Sequence, residues 1–215
     1  MNLLTKMMQF VVSTTKKYKI DESHGLSHSM NVLHFAHSIL EAEMQIFSYL
    51  QENSQKRVIY ACAVLHDMCD NKYMDVKQGL NEINEFLQEY GMEKEEIEAV
   101  EQIINTMSYS KVKANGFPSL GNYMKAYHIV READLLSAYD FDRCMIYNMY
   151  NKPEKNADLI YAFSDAYHLF QNRVCKHEDD GLLTTQYAQR MHVPMKLAAE
   201  ARIATWQKLL RYNLR

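Results

Sequence analysis

Three short stretches place metal-ligating residues inside otherwise apolar runs. They are HGLSHSMNVLHFA (24–36), VLHDMCD (64–70) and HIVREADLLSAYD (128–140). A helix buries its apolar stripe and exposes the rest, so a polar residue interrupting that stripe needs a reason. His66 and Asp67 follow Leu65 directly, and Asp134 sits among Ile129, Val130, Ala133, Leu135 and Leu136. An unpaired buried carboxylate costs several kcal/mol or takes up a proton. A cation should therefore face Asp134, either a metal ion or an arginine such as Arg131 one turn earlier. Singly, each stretch also reads as a helix cap or a satisfied core polar group. Together they supply His, His-Asp and Asp on separate elements. Two imidazoles and two carboxylates form a mixed N/O set suited to Mn, Fe, Co, Ni or Zn, with Mg possible, and poorly suited to Ca. Four protein donors leave positions for water and substrate.

The elements that must position these residues read as helices. Gly (6) and Pro (3) are scarce in the 215 residues, against the turn demands of a barrel or sandwich. Apolar residues recur at helical spacing almost throughout. Expected helices are a first one over Leu3–Val11, then Met30 to about Gln51, Arg57–Leu65, Lys77–Tyr90 and Glu93 to about Met107. Tyr123 to about Tyr150, Ala157–Val174 and Thr184 or Thr185 to about Leu210 complete the set. Segment 108–122, SYSKVKANGFPSLGN, reads as the one Gly/Pro loop. No strand pattern, repeat or linker stands out. The expectation is an all-α bundle of about eight helices, a single domain over residues 1–215.

A net charge of −3 excludes a strongly basic nucleic-acid binder. Cys62, Cys69, Cys144 and Cys175 form no CxxC pair and read as free thiols in a reducing compartment. The N-terminal stretch lacks a basic region and a cleavage site, is too short to span a bilayer, and reads as a first helix. The protein is thus expected to be soluble and cytoplasmic, without a membrane role.

The order H…HD…D resembles that of the HD-domain metal-dependent phosphohydrolases, and in particular a small bacterial-type subgroup. HGLSH followed by SMNV, HDMCDNKY, TMSYSK, IVREAD and the terminal TTQYAQRMHVPMKLAAEAR echo that subgroup's motifs in order, over roughly residues 20–210. The resemblance implies an all-helical HD domain binding one divalent transition metal and hydrolysing a phosphoester or phosphoanhydride. It implies His28, His66, Asp67 and Asp134 as metal ligands and Asp67 as the residue orienting the attacking water. It places His24, Asp70 and Lys72 beside the reacting phosphate, with His24 and Lys72 holding it. A small phosphorylated substrate, a nucleotide foremost, is the implied partner, and a homodimer is consistent with the family. Two departures stand out. Asn31 occupies an arginine position, and LLSA, with Leu135 and Ser137, replaces R-L-D-A. Asp140, Asp142 and Arg143 are placed to compensate in part. A catalytically degenerate protein that binds metal and a nucleotide or protein partner is the competing expectation, and a helical protein without a site the third.

Tyr109 and Lys111 in the 108–122 segment are candidate substrate contacts, with Lys113 a second lysine there. The alternative is a solvated surface loop. Tyr73, Tyr109 and Tyr139 lie near motif residues and could stack a base, although most tyrosines serve packing. CKHEDDG (175–181) offers His, Glu and two Asp, and reads as a solvated helix end sooner than as a second metal site.

Overall fold

The computed structural model describes residues 2–151 and 158–211. Ten α-helices run through them: α1 Leu3–Tyr18, α2 Leu26–Met44, α3 Asn53–Leu65, α4 Val76–Glu89, α5 Lys94–Thr106, α6 Tyr109–Asn115, α7 Met124–Ser137, α8 Phe141–Asn151, α9 Leu159–Asn172 and α10 Gln186–Arg211. Four short 3-10 turns join them, and no strand occurs among the described residues. The class is all-α.

The count exceeds the expected eight for two local reasons. The anticipated helix 123–150 is broken after Ser137. There the Asp140 carboxylate accepts from the amides of Asp142 (3.1 Å) and Arg143 (3.3 Å), which opens a new helix rather than continuing the old one. The anticipated loop 108–122 contains α6, which buries Val112 and stops at Gly116 with φ 73°. A positive φ is easily reached only by glycine, so the chain turns there. Other boundaries moved too. The second helix starts at Leu26 and ends at Met44, with a 3-10 turn over Ser48–Gln51. Ala157, the expected start of the seventh helix, lies outside the described residues.

The core is centred on α2, α3 and α7, which pack on one another. The C-terminal half of α3 is buried on almost every side: Val58, Ile59 and all residues from Ala61 to Leu65 are fully enclosed. A helix apolar all round belongs in the interior, and its neighbours must cover it. These three central helices carry the polar interruptions or lead into them. His28 stands on α2, His66 and Asp67 directly follow α3, and Asp134 stands on α7. Burying the apolar faces therefore brings the polar residues together.

Helix α10 is held to this core by a buried carboxylate. Glu132, fully enclosed on α7, accepts from the amides of Thr184 and Thr185 (2.9 Å each) and from both hydroxyls (2.5 and 2.7 Å). The Thr185 hydroxyl in turn accepts from the Ala188 amide at 3.3 Å. Arg131 pairs with the same Glu132 oxygen at 3.1 Å and lies over the Phe117 ring at 4.6 Å. Arg131 is thus spoken for, and is not the partner of Asp134.

Candidate metal centre

The interruptions meet at one point. His28 Nε2 lies 3.1 Å from His66 Nε2, 3.2 Å from Asp67 Oδ2 and 3.4 Å from Asp134 Oδ1. His66 Nε2 lies 3.3 Å from Asp67 Oδ2 and 3.8 Å from Asp134 Oδ1. Four donors held ~2.1 Å from one ion stand about 3.0 Å apart along an octahedron's edge and about 3.4 Å along a tetrahedron's. The separations of the two imidazoles from each other and from the two carboxylates fall near that range. Ligand atoms of His28, His66 and Asp67 all lie within 4.8 Å of one another.

Local structure prepares these atoms. The Nδ1–H of His66 is turned to the Ala63 carbonyl at 3.1 Å, which leaves Nε2 facing the other candidate donors. A ligating histidine is commonly fixed in this way by a bond from its second nitrogen. Asp67 Oδ2 is enclosed and has no well-aligned hydrogen bond. The side chain of Asp134 keeps 27% exposure, against 1% for His28, so the cluster opens to solvent on the Asp134 side.

The electrostatics favour positive charge beside the two carboxylates. Burial pushes His66 toward its neutral form, but the Asp67 and Asp134 carboxylates outweigh it and hold the ring up at about 9. Burial likewise opposes charge on Asp67 and Asp134, yet the facing imidazoles keep both well below the usual carboxylate range. Two ionised carboxylates around two imidazoles form a site that could hold a divalent ion, and the donor types suit a transition metal.

Beside this cluster stands a second group. His24 Nδ1 meets Ser23 Oγ at 2.7 Å and the Tyr73 hydroxyl at 3.1 Å. Asp21 anchors both: its Oδ1 accepts from the Ser23 hydroxyl and amide, and its Oδ2 from the Tyr73 hydroxyl and from Asn151 Nδ2 at 3.2 Å. His24 is thereby oriented with Nε2 facing Lys72 Nζ at 3.4 Å. Asp70 holds Lys72, accepting from its amide at 2.9 Å and pairing with its ammonium at 3.1 Å. The ammonium also lies over the Tyr147 ring at 5.1 Å. Ligand atoms of His24, Asp67 and Asp70 fall within 4.8 Å of one another, so Asp67 joins the two groups.

The remaining candidates lie elsewhere or do other work. The Tyr109 hydroxyl donates to Asp180 at 2.9 Å, and Lys113 pairs with the same carboxylate at 2.6 Å. Lys111 is exposed, on the side from which its charge reaches the Cys69 thiol. Within CKHEDDG, Glu178 pairs with His192 at 2.8 Å, while His177 is enclosed between the Tyr109 and Tyr139 rings. Leu135 is buried, and the Ser137 hydroxyl donates to the Asp134 carbonyl at 2.7 Å. Asp142 pairs with Arg202, and Asp140 caps α8. Of the three compensating residues only Arg143 reaches the centre: its Nη2 lies 3.0 Å from His28 Nε2 and its Nε donates to the Ser23 carbonyl at 2.6 Å. Sequence reasoning missed Asp21, Ser23 and Tyr147. Ser23 immediately precedes His24 and Asp21 caps the turn that contains it, three positions earlier, which could have been read from the sequence, whereas nothing local marks Tyr147.

All four cysteines are free, and Cys62, Cys69 and Cys144 are buried. No helix among the described residues is long and apolar enough to cross a membrane.

No protein-family model matches the chain, and no curated protein matches it. One solved structure is similar over almost the whole length. It is the crystal structure of a protein from Lactobacillus plantarum, a Northeast Structural Genomics target. The identity is 17%, with 98% of this chain and 97% of that chain covered at a TM-score of 0.68. At that identity the likeness concerns the fold alone.

Proposed function

We propose that this protein is an HD-type metal-dependent phosphohydrolase that cleaves a phosphoester or phosphoanhydride of a small anionic substrate, a nucleotide foremost. The observation that carries the proposal is the convergence of His28, His66, Asp67 and Asp134 on one point from three separate segments. Those four residues would hold one divalent ion. Once bound, such an ion lowers the pKa of water from ~15.7 toward ~7 in favourable sites and draws charge from a phosphoryl oxygen.

The chain's own residues would supply the rest. Asp67, held ionised, orients the attacking water. Lys72 and His24 bind the phosphate next to it, as a compact cation and a hydrogen-bond donor. Asp70 keeps the lysine in place and Asp21, through Ser23, fixes the histidine. The partly exposed edge at Asp134 is where a small substrate enters.

The competing reading is a protein that binds metal and nucleotide without turnover. It draws on Leu135 and Ser137, which are committed to packing and to a backbone bond and supply no charge. Elemental analysis of protein purified without added metal tests the centre, with His66→Ala and Asp134→Ala prepared alongside. About one equivalent of a transition metal, lost in both variants, is the expected result. A panel of nucleotides and sugar phosphates with Mn, Co, Ni and Mg then separates hydrolase from binder. A wild-type protein that holds no metal and takes none up on dialysis would refute both readings.

A further inference from the structure

Arg143 is caught between two partners. It stands on the first turn of α8, with Asp140 capping that turn. Its Nε donates to the Ser23 carbonyl at 2.6 Å, and its Nη2 meets His28 Nε2 at 3.0 Å. No carboxylate pairs with it among the described residues, since Asp142 turns to Arg202 and Trp206. A neutral imidazole has one lone pair, on the nitrogen without a proton. His28 Nε2 also faces His66, Asp67 and Asp134. With the ring proton on Nδ1, that single lone pair lies on Nε2, where it can accept from Arg143 or ligate a metal ion, but not both.

We infer that Arg143 is the anion-binding residue of this centre, and that metal uptake by His28 releases its Nη2 donor to a phosphoryl oxygen presented there. The inference rests on the metal reading above. The Ser23 tether keeps the guanidinium at the site after release, because Nε and Nη2 lie on the same edge of a rigid fork. Ser23 precedes His24, whose ring centre lies 6.3 Å from that of His28, so Arg143 and the His24–Lys72 pair lie beside the same centre. Arg143 thus supplies the positive charge that Asn31 and Leu135 do not. It also makes the apo site self-protecting: with no metal, the arginine occupies His28 and repels a cation.

The test is the opposite sign of two affinities in one variant. Arg143→Ala and Arg143→Lys are compared with wild type by calorimetric titration with Mn2+. The Mn2+-loaded proteins are then titrated with inorganic phosphate, read from the broadening of its phosphorus NMR line. Arg143→Ala should bind Mn2+ about tenfold tighter or more, having lost a competing charge-assisted bond, and bind phosphate about tenfold weaker or more. Arg143→Lys keeps the charge without the fork, and should fall between in both. General damage to the fold would weaken both affinities together, and circular dichroism checks each variant. Unchanged or weaker Mn2+ binding in Arg143→Ala, or unchanged phosphate binding, overturns the inference while leaving the centre standing. A wild-type protein that binds no Mn2+ overturns the metal reading and this inference with it.

Discussion

Replacing Asp134 by asparagine keeps the shape of the side chain and removes its charge. Asp134 Oδ1 stands 3.4 and 3.8 Å from the two imidazole nitrogens, so it is one of the four donors that could surround an ion. Loss of a residue that merely supports a ligand costs metal affinity about 10–100-fold, so loss of a ligand itself should cost about 100-fold or more. At a metal concentration of about 100 times the wild-type Kd, binding stabilises the fold by about 2.7 kcal/mol. For a chain of this size each kcal/mol moves Tm by about 2–4 °C, so wild type should rise by about 5–11 °C. The Asp134→Asn protein, at or below its own Kd, should gain about 0.4 kcal/mol at most, or about 1–2 °C. Without metal the variant should melt below wild type, because it loses the carboxylate charge that faces His28 and His66, so each protein's shift is read against its own metal-free melting point. Scanning calorimetry with EDTA and with saturating Mn2+, Co2+, Ni2+ or Zn2+ measures both shifts. A variant that keeps more than half of the wild-type shift would show that Asp134 is not a ligand. A wild type that shifts with none of the four ions would show that the polar cluster is structural.

Other predictions concern the scaffold. Glu132→Gln should lower stability by about 3–5 kcal/mol in urea unfolding, because it strips Arg131 of its buried counter-charge and leaves the Thr184–Thr185 donors short of acceptors; a loss under 1 kcal/mol would mean that α10 is held by packing alone. Burial, with help from the Arg173 charge, pushes His177 from 6.5 down to about 4. The unfolded chain therefore binds the extra proton as pH falls below 6.5, and stability is lost progressively down to about pH 4, by about 3 kcal/mol. His177→Phe should flatten that stretch of the stability–pH curve, and an unchanged slope would remove His177 as its cause. A Cβ at Gly79 would stand 2.7 Å from Cys69 Cβ and 2.8 Å from Cys69 Cα, so α4 presses on the turn that follows His66 and Asp67. Gly79→Ala should cost about 1–3 kcal/mol in spite of its better helix propensity, and should weaken Mn2+ binding as that turn shifts.

The helices were legible wherever a single apolar stripe ran on, and misread where a polar residue reset the register. Tyr123–Tyr150 carries apolar residues at helical spacing throughout, but Asp140 caps a new helix and divides it. Asp140 was visible as one more polar residue. What could not be seen was that Ala138 and Tyr139 would bond back to Asp134 and Leu136 and close the first helix. The 108–122 segment misled in the opposite direction, since its glycines and proline lie after a two-turn helix rather than in place of one.

The candidate ligands were legible for a physical reason that the fold makes explicit. A charged residue in an apolar stripe is conspicuous because burying it is costly, and the helices on which burial is greatest are those whose interruptions must meet. His28, His66, Asp67 and Asp134 therefore declared themselves through the free energy they would waste if unpaired. The residues around them did not. Arg143 and Tyr147 lie on a half-buried helix where polar and aromatic side chains are unremarkable, and the value of Arg143 depends on a contact with Ser23, 120 positions away in the chain. The same logic corrected the partner of Asp134. Arg131 stood one turn away on the same helix, but it points to Glu132 and Phe117, so the charge facing Asp134 comes from residues on other elements. Spacing along one helix identifies which groups are buried; which groups they meet is decided by how three helices pack, and the chemistry of this centre lies in that second step.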